Sequence, residues 1–279
     1  MVIHSLSKFL ILPVFLITAV VGYIWFYIDR DYSWLVFIPA FLAVIIYIFH
    51  GPLDYWYFKK NTPPLDKKLV QWLEKYFPWY HWIETGYTIE FQRRIVLYMY
   101  AREFQAIGKE TREVPEDIKC MIAAHAVLLT SGREDFLMGD VDRIYIYKHP
   151  FPTPAIQTLH SVETNMEDGV IILNSSLLMQ ALISPKDNYN IALHAYAEAL
   201  YRIFPDMATE KLDHTRLDEL EKHVGWTLAE IQRQTGLSHI PDFCRHIHHF
   251  FVFHKNYGEL MPENETIIRK YLNLPVIKL

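Results

Sequence analysis

The 279-residue sequence has little cysteine and no stripe of basic residues, and both absences exclude classes of protein. Cys120 and Cys244 are its two cysteines, and each lies in a segment with the pattern of an apolar helix. We therefore expect two buried thiols, not a disulfide or a metal pair, which agrees with a reducing compartment. The net charge of −5 and the lack of a basic face argue against nucleic acid as a partner.

Charge is also missing from two long runs near the N-terminus. Residues 9–28 and residues 32–49 contain no Asp, Glu, Lys or Arg. A hydrocarbon core of about 30 Å is crossed by about 20 apolar residues in a helix, so we expect two transmembrane helices joined by a turn at 29–31. A cleaved signal peptide fits poorly, because no small-residue cleavage site precedes the turn and a second apolar run follows at once.

Lysines set the expected orientation of this hairpin. Lys8 precedes the first run, and Lys59, Lys60, Lys67 and Lys68 follow the second, whereas the turn holds one Arg between two Asp. The positive-inside rule then places both ends in the cytoplasm. We expect a multi-pass protein of the bacterial cytoplasmic membrane with its soluble domain facing the cytoplasm. Its expected partners are the lipid bilayer and other membrane protein subunits.

Hydrophobic periodicity predicts an α+β protein that is mostly helical with a small sheet, preceded by the transmembrane helices. Three parts are expected: the hairpin (1–58), a linker and juxtamembrane helix (59–87), and a domain (88–279). No repeat or low-complexity tract occurs. Helices are predicted at 65–77, 88–107, 115–130, 190–204, 208–222, 227–234, 240–255 and 264–272, and strands at 143–148 and 170–174.

His194 and Glu198 stand out in the apolar segment 190–204, NIALHAYAEALYRIF. Their i, i+4 spacing puts both side chains on one helix face. A carboxylate in apolar surroundings needs a partner or takes up a proton. Three interpretations stay open: a hydrogen-bonded structural pair, two ligands of a metal, or a general acid or base without a metal.

A second polar cluster lies in the segment 242–254, DFCRHIHHFFVFH. His246 and His249 are three residues apart and share a helix face, whereas His248 points about 100° away from His249. The interleaved phenylalanines favour a partly buried helix over a solvated histidine-rich face. A third metal ligand is therefore sought in this segment.

Around these two clusters the chain presents a fixed order of features. An amphipathic helix with Phe91, Arg93 and Arg94 is followed by IAAHAVLL, by the strand segments IYIYK and VIILNSS, and by NIALH. In this order and spacing, residues 88–272 resemble the Mlc titration factor A family of zinc metallopeptidases. The resemblance implies a zincin-like metallopeptidase domain with zinc as its cofactor.

The expected function depends on the positions at which this chain differs from the family pattern. The family has His-Glu-x-Ala-His, where this chain has His194, Ala195 and, at the second ligand position, Glu198. The family's third ligand is a glutamate, and its position here is His249, with His246 and His248 as alternatives. The resemblance therefore implies a rearranged set of His194, Glu198 and His249, which is competent for tetrahedral zinc.

Hydrolysis is a separate question, because Ala195 occupies the position of the family's general-base glutamate. No catalytic residue is expected there, and Thr235 is the nearest equivalent of a family tyrosine. Glu163, Glu167 or Asp206 could supply a base from another direction. The first hypothesis is a pseudo-peptidase that serves as a metal-binding or interaction subunit of a membrane complex. The alternatives are an active zinc peptidase with a rearranged site, and a metal-free scaffold.

Overall fold

The structure is a computed structural model that describes residues 6–27, 34–108, 113–139, 141–204 and 212–274. Contacts divide it into two units, residues 1–62 and residues 63–279. The segment expected as a linker and juxtamembrane helix (59–87) is thus divided at residue 62. The turn expected at 29–31 and the candidate base Asp206 lie outside the described residues.

The first unit contains helices α1 (Leu6–Tyr27), α2 (Phe37–Ile48) and α3 (His50–Lys60). Helix α1 is 22 residues long and is apolar enough to cross a membrane. It begins three residues before the first predicted span. Within the described residues it is the one unbroken helix of that kind.

The second predicted span (32–49) is not a single straight helix. Its helical part, Trp34–Ile48, is bent by 67° from α3. Pro52 explains the break, because proline has no N–H and its ring clashes with the carbonyl group four residues back, at Ile48. Nδ1 of His50 lies 2.7 Å from the Tyr47 carbonyl oxygen and caps the broken end. About 15 residues span only some 22 Å, so this run alone is shorter than a hydrocarbon core.

Asp54 ties the beginning of α1 to α3. Its carboxylate accepts a hydrogen bond from the backbone N–H of Ser7 at 2.7 Å and another from the Ser7 hydroxyl at 2.9 Å. A carboxylate at this place satisfies a backbone donor of the first turn and interacts favourably with the helix dipole. The N-terminus of α1 therefore lies beside the middle of α3.

The second unit is mostly helical with one small sheet, which confirms the predicted α+β class. It also contains a 3-10 helix at Pro78–Trp82. Its named elements are α4 (Lys67–Tyr76), α5 (Thr88–Ala101), β1 (Glu103–Ile107), α6 (Glu116–Leu129), β2 (Arg143–Tyr147), β3 (Val162–Asn165), β4 (Val170–Asn174), α7 (Ser175–Ile183), α8 (Ile191–Ile203), α9 (Leu217–Val224), α10 (Leu228–Thr235), α11 (Asp242–Val252), α12 (His254–Leu260) and α13 (Pro262–Leu272).

The four described strands form a sheet in the order β1-β2-β4-β3. Strands β1, β2 and β4 are parallel, and β3 pairs with β4 in the antiparallel sense. Strands β2 and β4 confirm the prediction, but β3 falls in a segment expected as a loop. The helix predicted at 88–107 is too long: Arg102 is extended, and residues 103–107 pair with β2.

Helix α8 is buried on almost all sides, as its apolar sequence predicted. It packs against α6, α11 and the β3–β4 end of the sheet. Asn190 is its N-cap and accepts hydrogen bonds from two backbone N–H groups of the first turn. The Asn190 amide nitrogen donates to Nε2 of buried His125 on α6, 3.0 Å away. One side chain therefore caps α8 and fixes it to α6, and a cap alone contributes about 1 kcal/mol.

Candidate functional site

Tyr189 fixes the tautomer of His194. The Tyr189 oxygen is 3.0 Å from Nδ1 of His194, and both side chains are buried. A buried phenol needs an acceptor for its proton, and among the described residues Nδ1 is the group that meets it. We assign Tyr189 as the donor, which leaves the ring proton on Nε2. Burial lowers the pKa of His194 to about 4, so the ring is neutral near pH 7.

Glu198 lies one helical turn beyond His194 and is compensated by Arg202. Its Oε1 is 2.6 Å from an Arg202 nitrogen, whereas its Oε2 is 3.9 Å from Nε2 of His194. The longer distance exceeds a hydrogen bond. The predicted shared face is confirmed, but the partner of Glu198 is the arginine one turn further on.

His249 and His248 form a short chain of hydrogen bonds inside α11. Nε2 of His249 lies 2.9 Å from Oε1 of Glu221 and donates to it. Nδ1 of His249 is then an acceptor, and Nδ1 of His248 donates to it across 3.3 Å. Nε2 of His248 is buried and has no hydrogen-bond partner in the described part of the chain. Burial lowers the pKa of both rings, so both are neutral.

His246 has hydrogen-bond partners other than those of His248 and His249. Its Nδ1 lies 2.7 Å from the Tyr257 hydroxyl oxygen, and its Nε2 lies 3.0 Å from Nδ1 of His214. Burial lowers the pKa of His246 to about 3, and the neighbouring His214 adds to the effect. Both of its nitrogens are therefore occupied.

Glu221 and Arg245 form a buried ion pair that the sequence analysis missed. Both oxygens of Glu221 lie 2.9 Å from Arg245 nitrogens, and the two residues are 2% and 5% exposed. Burial raises the pKa of the Glu221 carboxyl, but hydrogen bonds from His249 and Arg245 outweigh it and leave this pKa lowered. The sequence could have indicated that Glu221 is buried, because it lies four residues after Leu217 on the apolar face of α9.

His194 and Glu198 line one wall of a cavity of about 310 Å³. Strand β3 forms the facing wall with four consecutive residues, 162–165. Glu163 and Glu167, which were candidate bases, both line this cavity. Thr235, which the resemblance gives as the nearest equivalent of a family tyrosine, is buried and donates a hydrogen bond to the Ile231 carbonyl group.

Ala195, which the resemblance places at the position of the family's general base, has no side-chain group that accepts a proton. It is completely buried, and its carbonyl oxygen accepts from the Thr164 hydroxyl of β3 at 3.4 Å. A second cavity, of about 500 Å³, shares Glu198, Arg202, His239 and Pro241 with the first. The two cavities therefore adjoin along α8.

As arranged here, the candidate ligands do not fit a zinc ion. His194 carries its proton on Nε2, Glu198 pairs with Arg202, and His249 donates to Glu221. A metal-bound histidine ordinarily donates its other N–H to an acceptor, but here a phenol donates to the ring. Within the described residues, no three His, Cys, Asp or Glu side chains are grouped to hold a metal. The ligand set inferred from the resemblance stays a prediction.

Comparison with known proteins identifies a family. The family described as glucose-regulated metallo-peptidase M90 matches residues 55–227, which is more than half of the chain. The match includes α8 with His194, Ala195 and Glu198 but ends before α11. The place of His249 therefore depends on the motif order alone. No curated protein matches the sequence.

Metal content tests the ligand set directly. The detergent-purified protein, prepared without chelator, is analysed by elemental mass spectrometry beside His249→Ala. We expect far less than one zinc ion per chain in both proteins, because Glu198 is paired with Arg202, His249 donates to Glu221, and Nε2 of His194 carries a proton. About one zinc per chain that disappears in His249→Ala would instead establish the predicted set of His194, Glu198 and His249.

Proposed function

The chain belongs to the glucose-regulated metallo-peptidase M90 family, which is the Mlc titration factor A family, and we propose that it is a membrane-anchored member that binds a partner without cleaving it. The observation that carries this proposal is Ala195, at the position of the general base. A positioned general base contributes about 10² to 10⁴-fold to such reactions. The pairing of Glu198 with Arg202 and of His249 with Glu221 adds to the argument.

Peptide hydrolysis tests the loss of activity. Full-length protein in mild detergent is incubated with a mixture of internally quenched peptides, with zinc and with chelator. We expect no turnover above the His194→Ala variant, because no group is placed to activate water at Ala195. Turnover that chelator abolishes, that zinc restores and that His194→Ala lacks would contradict the proposal.

That contrary result would support the second candidate, a zinc-dependent peptidase with a rearranged site acting at the membrane surface. One observation favours it: Glu163 lines the same cavity as His194 and Glu198. Glu163 would then replace the base that Ala195 lacks. Loss of the turnover in Glu163→Gln, with metal content unchanged, would assign that role.

The membrane anchor is the second part of the proposal. Support comes from the apolar helix α1 and from the uncharged run around α2, which together form a hairpin if α2 and α3 act as one bent span. Asp54 brings the start of α1 beside α3, as a hairpin with both ends on one side requires. The lysines at both ends support the cytoplasm as that side, by the positive-inside rule.

Protease access tests this orientation. A protease added outside intact cells should leave the C-terminal domain undigested, because the membrane shields it. After permeabilisation, the same protease should digest the domain. Digestion in intact cells would overturn the orientation.

The partner is proposed to be another membrane protein subunit. In the described residues, a Cβ atom added to Gly22 of α1 would meet nothing within 4 Å, so packing inside the first unit does not require this glycine. Small residues let helices of different chains approach closely in a bilayer. Gly22 therefore marks a face on which a partner helix fits.

Co-purification tests the partner. Tagged protein extracted in mild detergent should recover a stoichiometric membrane protein. Gly22→Leu should reduce the recovery several-fold by separating the helices, whereas Val20→Leu, at an exposed position of the same helix, should not. Recovery of the protein alone would count against a role as a complex subunit.

A further inference from the structure

The cavity between β3 and α8 has the shape of a site for an extended chain. One wall is β3, which is the end strand of the described sheet, so one side of its backbone has no neighbouring strand. The other wall is α8 with His194, Glu198 and Arg202. A strand edge without a neighbouring strand offers backbone donors and acceptors to a segment that pairs with it.

His194 contributes a hydrogen-bond donor to this cavity. The residue is 1% exposed, and the tautomer set by Tyr189 leaves a proton on Nε2. The acceptor nearest to Nε2 that the structure records is Oε2 of Glu198, at 3.9 Å, beyond hydrogen-bond distance. His194 lines the cavity, so a peptide carbonyl group bound there would accept this proton.

Three carboxylates give the cavity an excess of negative charge. Glu163, Glu167 and Glu198 line it, opposed by Arg202. His160 lies behind the wall, with Nε2 at 3.1 Å from Oε2 of Glu163. The cavity lining has three carboxylates and one guanidinium group, and its other ionisable side chains are His194 and His239. The cavity is therefore suited to a positively charged group.

Glu163 is held so that one of its oxygens remains for a ligand. Its Oε2 accepts from the Thr153 hydroxyl at 2.5 Å and from His160. In the described part of the chain, no hydrogen bond is recorded to its Oε1. The side chain is fixed by two neighbours, so little conformational freedom is lost when a cation binds to the remaining oxygen.

We propose that this cavity binds an extended segment of a partner protein through a lysine or arginine side chain that lies between Glu163 and Glu198. The inference rests on the proposed binding function and names the chemistry of the partner at that site. The backbone of the segment pairs along β3, and one of its carbonyl groups accepts the His194 proton. Charge complementarity selects the basic side chain.

Peptide binding by the full-length protein in lipid nanodiscs tests the proposal. The probes are fluorescent heptapeptides of alanine and serine whose central residue is lysine, norleucine or glutamate. The lysine peptide should bind about fivefold to tenfold more tightly than the norleucine peptide, as one half-buried ion pair allows. The glutamate peptide should bind most weakly.

Two variants locate the charge that makes the difference. Glu163→Gln should remove the preference for lysine, and Glu198→Gln is a second such variant if the first fails to fold. Glu103→Gln is the matched control, because it removes one exposed carboxylate from β1, at the opposite edge of the sheet. It should leave the preference unchanged.

Each other outcome has a distinct meaning. Equal binding of the lysine and norleucine peptides, or no binding of any peptide, would overturn the inference. If the preference for the lysine peptide falls equally in Glu163→Gln and Glu103→Gln, it comes from the net charge of −5 and not from the cavity, and the inference is overturned. Cleavage of a bound peptide, detected by mass spectrometry, would contradict the proposed loss of activity but not the preference for a basic side chain.

Discussion

The buried carboxylate of Glu221 sets the arrangement around α9 and α11. A charge removed from water is tolerated only when it is matched, and Arg245 matches it with two hydrogen bonds. Removing one partner of such a pair costs about 3 to 5 kcal/mol, because the other charge stays buried and uncompensated. The pair therefore fixes the rotation of α11 about its axis. That rotation decides where every histidine of the helix points.

The orientation of His249 follows from this pair. Its Nε2 donates a hydrogen bond to the Glu221 carboxylate, and its Nδ1 accepts a hydrogen bond from Nδ1 of His248. Neither nitrogen is therefore left for a metal. The positive charge among these helices is supplied by a guanidinium group of the chain itself. A site that holds a fixed internal cation has no electrostatic need for a bound one. If His249 occupies the family's carboxylate position, as the resemblance implies, this internal cation accounts for an imidazole there.

Features that depend on residues close together in the sequence could be predicted, whereas most of those that depend on contacts between distant segments could not. The shared face of His194 and Glu198 was predictable, because helical spacing is local. The strand β3 was not, since its sequence VETN is mostly polar and it forms by pairing with β4. Tyr189 lies outside α8, and no spacing rule links it to His194. Glu221 was within reach, because a carboxylate on the apolar face of an amphipathic helix demands a buried cation. The break after α2 could likewise have been predicted from Pro52.

The tautomer of His194 bears directly on the proposed binding role. In a metal site the imidazole presents a lone pair, and its other nitrogen donates outward. Here the Tyr189 hydroxyl donates a hydrogen bond to Nδ1, so the ring proton is on Nε2. Nε2 is then a hydrogen-bond donor and has no lone pair for a metal. The same ring on the same helix then recognises a carbonyl oxygen instead of a cation. The direction of this one hydrogen bond decides whether His194 offers the cavity a lone pair or a proton.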